Sequence, residues 1–176
     1  AHQGRTGPCC DALISAGITR VIASIADPNP LVAGRGFERL RAAGIEVEVG
    51  PGEQAARELN IGFFSRMLRQ TPWVRMKTAA SLDGTTALAN GQSQWITGAA
   101  ARDDGHHWRA QACAILTGVG TVKEDDPSLT VRAVDTLRQP TRIIIDSKLD
   151  IALTAAVLKP FASQPTLIED GGAMVV

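Results

Sequence analysis

Residues 9–49, CCDALISAGITRVIASIADPNPLVAGRGFERLRAAGIEVEV, alternate between helical and strand character. Helical composition over residues 9–16 and about 36–43 stops each time at a glycine, the residue that commonly follows a helix. Residues 20–24 form a short apolar run, and residues 45–49 alternate apolar and acidic side chains with a period of two. This order of helix, strand, helix and strand predicts an α/β layer with parallel strands, with residues 45–49 as a half-exposed edge.

Beyond residue 49 the sequence predicts further helices and strands, which one break divides into two groups. Helical stretches at residues 53–59 and 62–69 are followed by Gln70-Thr71-Pro72, the best candidate for a domain boundary because proline interrupts regular structure. Beyond it the sequence predicts strands at residues 73–80, 114–117, 142–146 and 167–170, a helix at residues 98–111, a glycine loop at residues 118–120 and a turn at residues 124–127.

Composition places the chain among globular proteins. Its 176 residues are 44% hydrophobic and 20% charged, enough for one ordinary domain or two small ones. Eighteen basic and 18 acidic residues give a net charge of +0, which argues against a nucleic-acid or anionic-membrane partner. No apolar run approaches the ~20 residues of a membrane span. Three cysteines, two of them adjacent, do not suit a disulfide framework, so we expect a cytoplasmic protein.

Both ends suggest a piece of a longer protein. The chain opens without a methionine in the turn-rich residues 2–8. Near the other end, a strand-like run leads into Gly171-Gly172 and stops soon after. A strand needs a partner, so we expect a chain that is incomplete at both ends.

Several residues at predicted strand ends and loops could carry chemistry, since ligands of open α/β sheets bind there. Lys77 could hold an anionic or carbonyl group, or its stem could cover the sheet while its ammonium reaches water. Trp95 could stack on a nicotinamide or pyrimidine ring, or lie in the core. The loop Gly118-Val119-Gly120-Thr121 could cradle a phosphate, although it lacks the third glycine of the dinucleotide motif and could be an ordinary turn.

Charged residues in the second half of the chain also allow both a functional and a purely structural interpretation. Arg109 and Arg132 could each clamp a phosphate, or be solvated surface charges. Asp125 and Asp126 precede a proline, where carboxylates often cap a turn. In the first half, Cys9 at a helix start suits a zinc ion, but no second cysteine or histidine lies at metal-ligand spacing, so a complete zinc site cannot be built.

Taken together, these motifs resemble one family. HQGRTGPCC at residues 2–10 and DPNPLVAGRG at residues 27–36 are similar to the end of the deaminase domain of the bifunctional riboflavin biosynthesis deaminase/reductases. KTAASLDG at residues 77–84, SQWIT at residues 93–97, and the run from Gly118 to Arg132 resemble its reductase domain, in the same order. The resemblance covers nearly the whole chain to about Ser147. It implies part of a cytidine-deaminase-like domain at residues 1–71 and part of a dihydrofolate-reductase-like domain at residues 72–176.

The resemblance implies that the second domain uses NADPH to reduce a phosphorylated ribosyl group to ribityl. The candidate catalytic residues are Lys77 and Asp125. The positions that match the family's NADP contacts are Ala79, Trp95, Thr121, Asp125 and Ser147, with Gly171 and Gly172 in a phosphate-holding turn. The positions that match its substrate contacts are Ser93, Arg109, Leu129, Arg132 and Glu169.

For the first domain the resemblance implies zinc-dependent removal of the pyrimidine amine from a diaminohydroxy-phosphoribosylamino-pyrimidine, a small phosphorylated molecule whose deaminated product the second domain then reduces. The family holds zinc with a histidine and two cysteines, and Cys9 matches the last of these, while the other ligands and the catalytic glutamate would lie before Ala1. The resemblance also implies that the protein forms a homo-oligomer. Two other functions stay open: a stand-alone pterin reductase of the dihydrofolate type, and a nucleotide-binding module without catalysis.

Overall fold

The computed structural model describes residues 6–160 and 165–170. Contacts divide the chain into two compact units, one ending at Arg75 and the next beginning at Met76. Each unit contains one parallel sheet, two-stranded in the first and three-stranded in the second. The predicted α/β class with parallel strands is therefore confirmed. No helix in the described ranges is both long and apolar enough to cross a membrane.

The first unit follows the order predicted from residues 9–49. Its elements are α1 (Cys9–Ser15), β1 (Arg20–Ala23), α2 (Arg35–Ala42), β2 (Glu46–Val49), α3 (Glu53–Leu59) and α4 (Ile61–Arg69). The two strands pair in parallel with Val21 opposite Val47. Both valines pack against a small core of Cys10, Leu40 and Ile45, which closes one face of the sheet with α1 and α2.

Glycines end the first two helices of this unit, as the sequence predicts. Gly17 and Gly44 have φ angles of +68° and +80°, in the left-handed region that glycine adopts without strain. After α1, the Gly17 amide donates to the Ile14 carbonyl and the Ile18 amide donates to the Leu13 carbonyl. These bonds satisfy carbonyls that the helix end leaves open and turn the chain into β1.

The second unit is built on a parallel sheet with the order β3-β4-β5. Its elements are α5 (Ala99–Gln111), β3 (Ala114–Gly118), α6 (Val119–Asp125), β4 (Thr141–Ile145), a 3-10 turn (Ala156–Leu158) and β5 (Thr166–Glu169). The central strand β4 carries Ile144, which has no exposed surface and packs with Val122, Leu129 and Val157. This core fixes α6 and the chain that follows it against the sheet.

Two local predictions are wrong. Residues 73–80 belong to neither sheet, and Val74 and Met76 on this segment are exposed. An apolar composition makes a strand only when another strand supplies its hydrogen bonds, and neither sheet of the described chain pairs with this segment. The expected glycine loop after β3 is instead the start of the helix α6, because Val122 on that helix is buried in the core and the packing outweighs the low helix propensity of glycine. The turn expected at residues 124–127 is the end of that helix, where Asp126 has a left-handed conformation.

Candidate functional site

Asp125, the last residue of α6, joins that helix to the loop before α5. Its Oδ1 accepts a hydrogen bond of 3.2 Å from the Ser93 hydroxyl and one of 3.4 Å from the Gln94 amide Nε2. Residues about 30 positions apart in sequence thus meet at one carboxylate oxygen. This contact fixes the start of the SQWIT motif relative to β3 and α6.

Trp95 presents its indole at the surface of the same loop. The residue is 69% exposed, and the Arg102 guanidinium lies 4.6 Å from the centroid of its ring. Arg102 is held there because its Nη1 donates a 2.6 Å hydrogen bond to the Thr97 carbonyl. One face of the indole is therefore occupied by a cation, and a planar ligand has to stack on the other face.

A cavity of about 270 Å³ lies beside this tryptophan. It is formed by the two turns that precede α5. Its lining residues are Ser81, Thr85, Ala87, Leu88, Gln92, Ser93, Gln94, Trp95 and Ile96. The lining is mainly apolar with a few hydroxyls and amides, the composition that suits a small organic ligand.

Two arginines form a second cluster, on α5 and on the segment after α6. Arg109 donates through Nη1 to the Thr130 carbonyl at 3.2 Å. Arg132 donates through Nη1 to the Ser128 hydroxyl at 3.1 Å and to the Thr130 hydroxyl at 3.5 Å. Burial and, second, the positive charge of Arg132 lower the pKa of Arg109. Within the described residues neither arginine forms an ion pair with a carboxylate, so their two positive charges are left for an anion. The Ser128 and Thr130 hydroxyls are hydrogen-bonded to each other and to Arg132.

His106 lies one turn before Arg109 on α5 and is buried. Its Nδ1 accepts the backbone N–H of Arg132 at 3.4 Å, which places the ring proton on Nε2 in the neutral form. Burial, followed by the charges of Arg109 and Arg132, lowers the pKa of His106, and only Asp103 opposes them. A neutral ring is thus the form that supports the loop carrying Arg132.

This arrangement predicts a pH-dependent stability that His106→Asn removes. The folded pKa lies below the unfolded value of about 6.5, so this histidine's contribution is fully present above that value and is lost as the pH falls through the folded pKa. We expect the free energy of unfolding of the wild type, relative to His106→Asn, to fall by up to ~1.4 kcal/mol per pH unit in that window. Urea unfolding of both proteins at a series of pH values measures it.

The neighbouring residue provides the control for this prediction. His107→Asn removes a histidine from the exposed side of the same helix and should reproduce the wild-type curve. If His106→Asn lost stability on acidification in parallel with the wild type, His106 would not be the group responsible.

The carboxyl ends of β3 and β4 also carry groups that suit a ligand. A side chain added at Gly118 or Gly120, where α6 begins, would meet no protein atom within 4 Å, so a ligand can approach this backbone closely. Thr121 is exposed in the first turn of α6, and Ser147 is exposed just after β4. Asp146, the residue before Ser147, is only 1% exposed; its Oδ2 accepts the Ile151 amide at 2.9 Å, while its Oδ1 has no hydrogen-bond partner among the described residues.

Comparison with known proteins shows which family this chain belongs to. A family profile described as "RibD C-terminal domain" matches residues 72–172, more than half of the chain. The chain belongs to the RibD family. It is 49% identical over 167 residues to the riboflavin biosynthesis protein RibD of Aquifex aeolicus (strain VF5), covering 95% of this chain and 47% of that protein. The Escherichia coli (strain K12) protein of the same name is 52% identical over 160 residues, covering 84% of this chain and 44% of that protein.

Solved RibD structures have the same fold as this chain. Form 1 of Acinetobacter baumannii RibD matches with a TM-score of 0.84 and 49% identity, over 90% of this chain and 46% of that one. A Thermotoga maritima protein described as a diaminohydroxyphosphoribosylaminopyrimidine deaminase/5-amino-6-(5-phosphoribosylamino)uracil reductase matches with a TM-score of 0.86 and 33% identity, over 98% of this chain and 52% of that one. The chain thus spans about half the length of the curated relatives it matches.

The candidate residues from the RibD resemblance do not all meet in the structure. Ser93 and Asp125 are in contact, and Arg109 and Arg132 share the Ser128–Thr130 segment. In the described ranges, no hydrogen bond or ion pair joins Lys77, which is exposed, to either cluster, and Ala79 is half-buried on the same extended segment. Glu169 is exposed at the end of β5. Gly171 and Gly172 lie outside the described residues.

Leu129 has a different position from the one its expected role suggests. Its side chain is 8% exposed and packs in the core with Ile144 and Val157. Its φ angle is +53°, a left-handed conformation that a branched residue seldom adopts. Any substrate contact at this position is therefore made by its backbone.

For the zinc site that the resemblance implies, Cys9 remains the single candidate ligand among the described residues. It is exposed at the first position of α1, whereas Cys10 is buried in the core of the first unit. The described part of the chain contains no group of three histidine, cysteine or acidic side chains that could hold a metal ion. Residues 6–160 and 165–170 therefore do not by themselves fit zinc.

Sequence reasoning missed three residues of the site in this RibD chain. Arg102 lies over the ring of Trp95, and His106 accepts the backbone N–H of Arg132. Gln139 accepts the backbone N–H of Val131, the residue before Arg132. For His106 the only sequence indication is its spacing of three from Arg109, which places both on one face of α5. Nothing in the sequence distinguishes Arg102 or Gln139 from other polar surface residues.

Proposed function

We propose that this chain carries part of the reductase domain of a bifunctional riboflavin biosynthesis enzyme. The reaction assigned to this domain is the NADPH-dependent reduction of the ribosyl group of a 5-amino-6-(5-phosphoribosylamino)uracil to ribityl. The observation that supports this most strongly is the pair Arg109 and Arg132, which lie beside the hydroxyls of Ser128 and Thr130 without an acidic partner in the described chain.

The two arginines are proposed to bind the ribose phosphate. Two neighbouring guanidinium groups repel each other, and a phosphate dianion between them relieves that repulsion while accepting charge-assisted hydrogen bonds. Arg109 approaches from α5 and Arg132 from the segment after α6, so the anion would be held between two separate elements. This clamp selects phosphorylated over unphosphorylated substrates.

The described residues fit NADPH in two respects. The open face of Trp95 can stack on the nicotinamide, since Arg102 occupies the other face. The backbone at Gly118 and Gly120 has room for close approach of a ligand. The remaining proposed contacts are Ala79, Thr121, Asp125, Ser147, Gly171 and Gly172.

Reduction of the sugar adds a hydride to its C1 carbon and a proton to the nitrogen that is doubly bonded to C1 in the ring-opened imine. NADPH, when bound, supplies that hydride. The chain's residues supply position, because orientation of the two reactants accounts for much of the rate. Asp125 holds Ser93 and with it the loop of Trp95, and we propose that Ser93, Glu169 and the Leu129 backbone contact the substrate and that Lys77 faces the reacting sugar.

The test is NADPH oxidation by the full-length protein, followed by absorbance. Turnover is expected with the deaminated phosphoribosylaminouracil, with the corresponding unphosphorylated nucleoside as a much poorer substrate. Oxidation of NADPH with dihydrofolate instead would indicate a pterin reductase. NADPH that binds without turnover on any of these compounds would indicate a nucleotide-binding module, and either result would reject the proposal.

The deaminase half is proposed for the full-length protein and not for this chain alone. In that proposal Cys9, which is exposed, serves as a zinc ligand, and Cys10, which is buried, does not. No chemical step is assigned to zinc because the described residues do not complete its ligand set. The relatives' names support the assignment of two consecutive reactions on one small phosphorylated molecule.

A further inference from the structure

Gln139 is bonded to the backbone of the segment that carries Arg132. Its Oε1 accepts the Val131 N–H at 2.7 Å, and its Nε2 donates to the Val131 carbonyl at 2.9 Å. The pair satisfies both polar groups of one residue, as a neighbouring β-strand would. It also fixes the orientation of the amide, because exchanging its oxygen and nitrogen would place donor against donor and acceptor against acceptor.

The position of Gln139 makes this contact rigid. It lies two residues before β4, and the amide of Thr141, the first residue of that strand, donates to the Cys113 carbonyl beside β3. Pro140 between them is buried. The side chain of Gln139 therefore ties the Val131 backbone to the sheet.

Val131 lies between the two residues that organise the arginine cluster. Its predecessor Thr130 offers its carbonyl to Arg109 and its hydroxyl to Arg132. Its successor Arg132 is held at its own backbone N–H by His106. Val131 is 3% exposed, so its backbone groups have no ready replacement in water if Gln139 is removed.

We propose that Gln139 is a positioning residue for sugar-phosphate binding, which sets the distance between the guanidinium groups of Arg109 and Arg132 through the Val131 backbone. The inference rests on the proposed function, in which those arginines bind the ribose phosphate. Gln139 itself makes no contact with substrate in this proposal. Its removal should therefore weaken phosphate binding and leave the NADPH contacts intact.

The experiment measures the affinity of the full-length protein for ribose 5-phosphate by calorimetry, together with the KM for NADPH. Gln139→Leu is expected to weaken ribose 5-phosphate binding about tenfold, because two backbone groups lose their partners and the segment shifts. Gln111→Leu, the same substitution at an exposed glutamine at the end of α5, is the matched control.

A double-mutant cycle separates positioning from general stability. If Gln139 acts through Arg132, adding Gln139→Leu to Arg132→Ala should change ribose 5-phosphate affinity less than about twofold. A full tenfold loss in that background, an equal rise in the KM for NADPH, or a Gln139→Leu protein that binds like Gln111→Leu would overturn the inference. If Arg132→Ala alone left the affinity unchanged, the phosphate site of the proposed function would be rejected, and this inference with it.

Discussion

Replacing both Arg109 and Arg132 by alanine is expected to reduce kcat/KM for the phosphorylated substrate by about 10² to 10⁴. Each charge-assisted hydrogen bond to a phosphate contributes about 1.5–3 kcal/mol, and about 1.4 kcal/mol corresponds to a factor of ten. The two side chains are near neighbours that share Thr130, so the double variant should fall short of the sum of the single ones. Steady-state kinetics of NADPH oxidation over a range of substrate concentrations measures the effect.

The single variants define which kinetic constant carries the loss. Arg132→Ala should raise the KM for the phosphorylated substrate with little change in kcat, because a phosphate remote from the reacting carbon is bound equally in the ground and transition states. Arg138→Ala is the control, since Arg138 is exposed and contacts the sulfur of Cys113 instead. An equal loss of activity on the unphosphorylated nucleoside would contradict a phosphate clamp.

Local patterns in the sequence predicted most of the helices and strands, because the ends and periodicity of these elements depend on residues that are close in sequence. The glycines at positions 17 and 44 end α1 and α2 by adopting positive φ angles, a property of the residue itself. The alternation over residues 45–49 likewise identified β2, since a strand with one covered face requires a period of two. These features need no knowledge of what packs against them.

Residues 73–80 show where this reasoning fails. A run such as Trp73-Val74-Arg75-Met76 has the composition of a strand, but pairing is a property of two segments, and neither sheet in the described chain includes it. The helix α6 shows the opposite error. Its glycines suggested a loop, while the burial of Val122 against β4, which the sequence does not reveal, supports a helix.

The residues of the candidate site also fall into those that the sequence predicts and those that it does not. Residues that would touch a ligand belong to motifs, and the structure brings Ser93 to Asp125 and both arginines to Thr130. Residues that only orient them, such as Gln139, act across a fold that the sequence does not display. Leu129 combines the two cases, because it belongs to a motif while its side chain is a core residue.

The second large effect is expected at Asp125, whose Oδ1 holds both Ser93 and Gln94. Asp125→Ala should raise the dissociation constant of NADPH about tenfold to a hundredfold, because a charged acceptor shared by two donors contributes about 1.5–3 kcal/mol and the loop of Trp95 loses its tie to α6. Asp125→Asn keeps an oxygen in the same place and should stay within about threefold of wild type.

Trp95 reports directly on this contact. Trp73→Phe and Trp108→Phe together leave Trp95 as the remaining tryptophan among these 176 residues, and tryptophans elsewhere in the full-length protein would be replaced in the same way. Quenching of its fluorescence on titration with NADPH then measures binding at the open face of the indole. Asp125→Ala with unchanged NADPH binding and a reduced kcat would make Asp125 a catalytic residue that contacts the reactants. Unchanged binding with unchanged kcat would remove Asp125 from the site, because the tie to Ser93 would then be dispensable for both cofactor and chemistry.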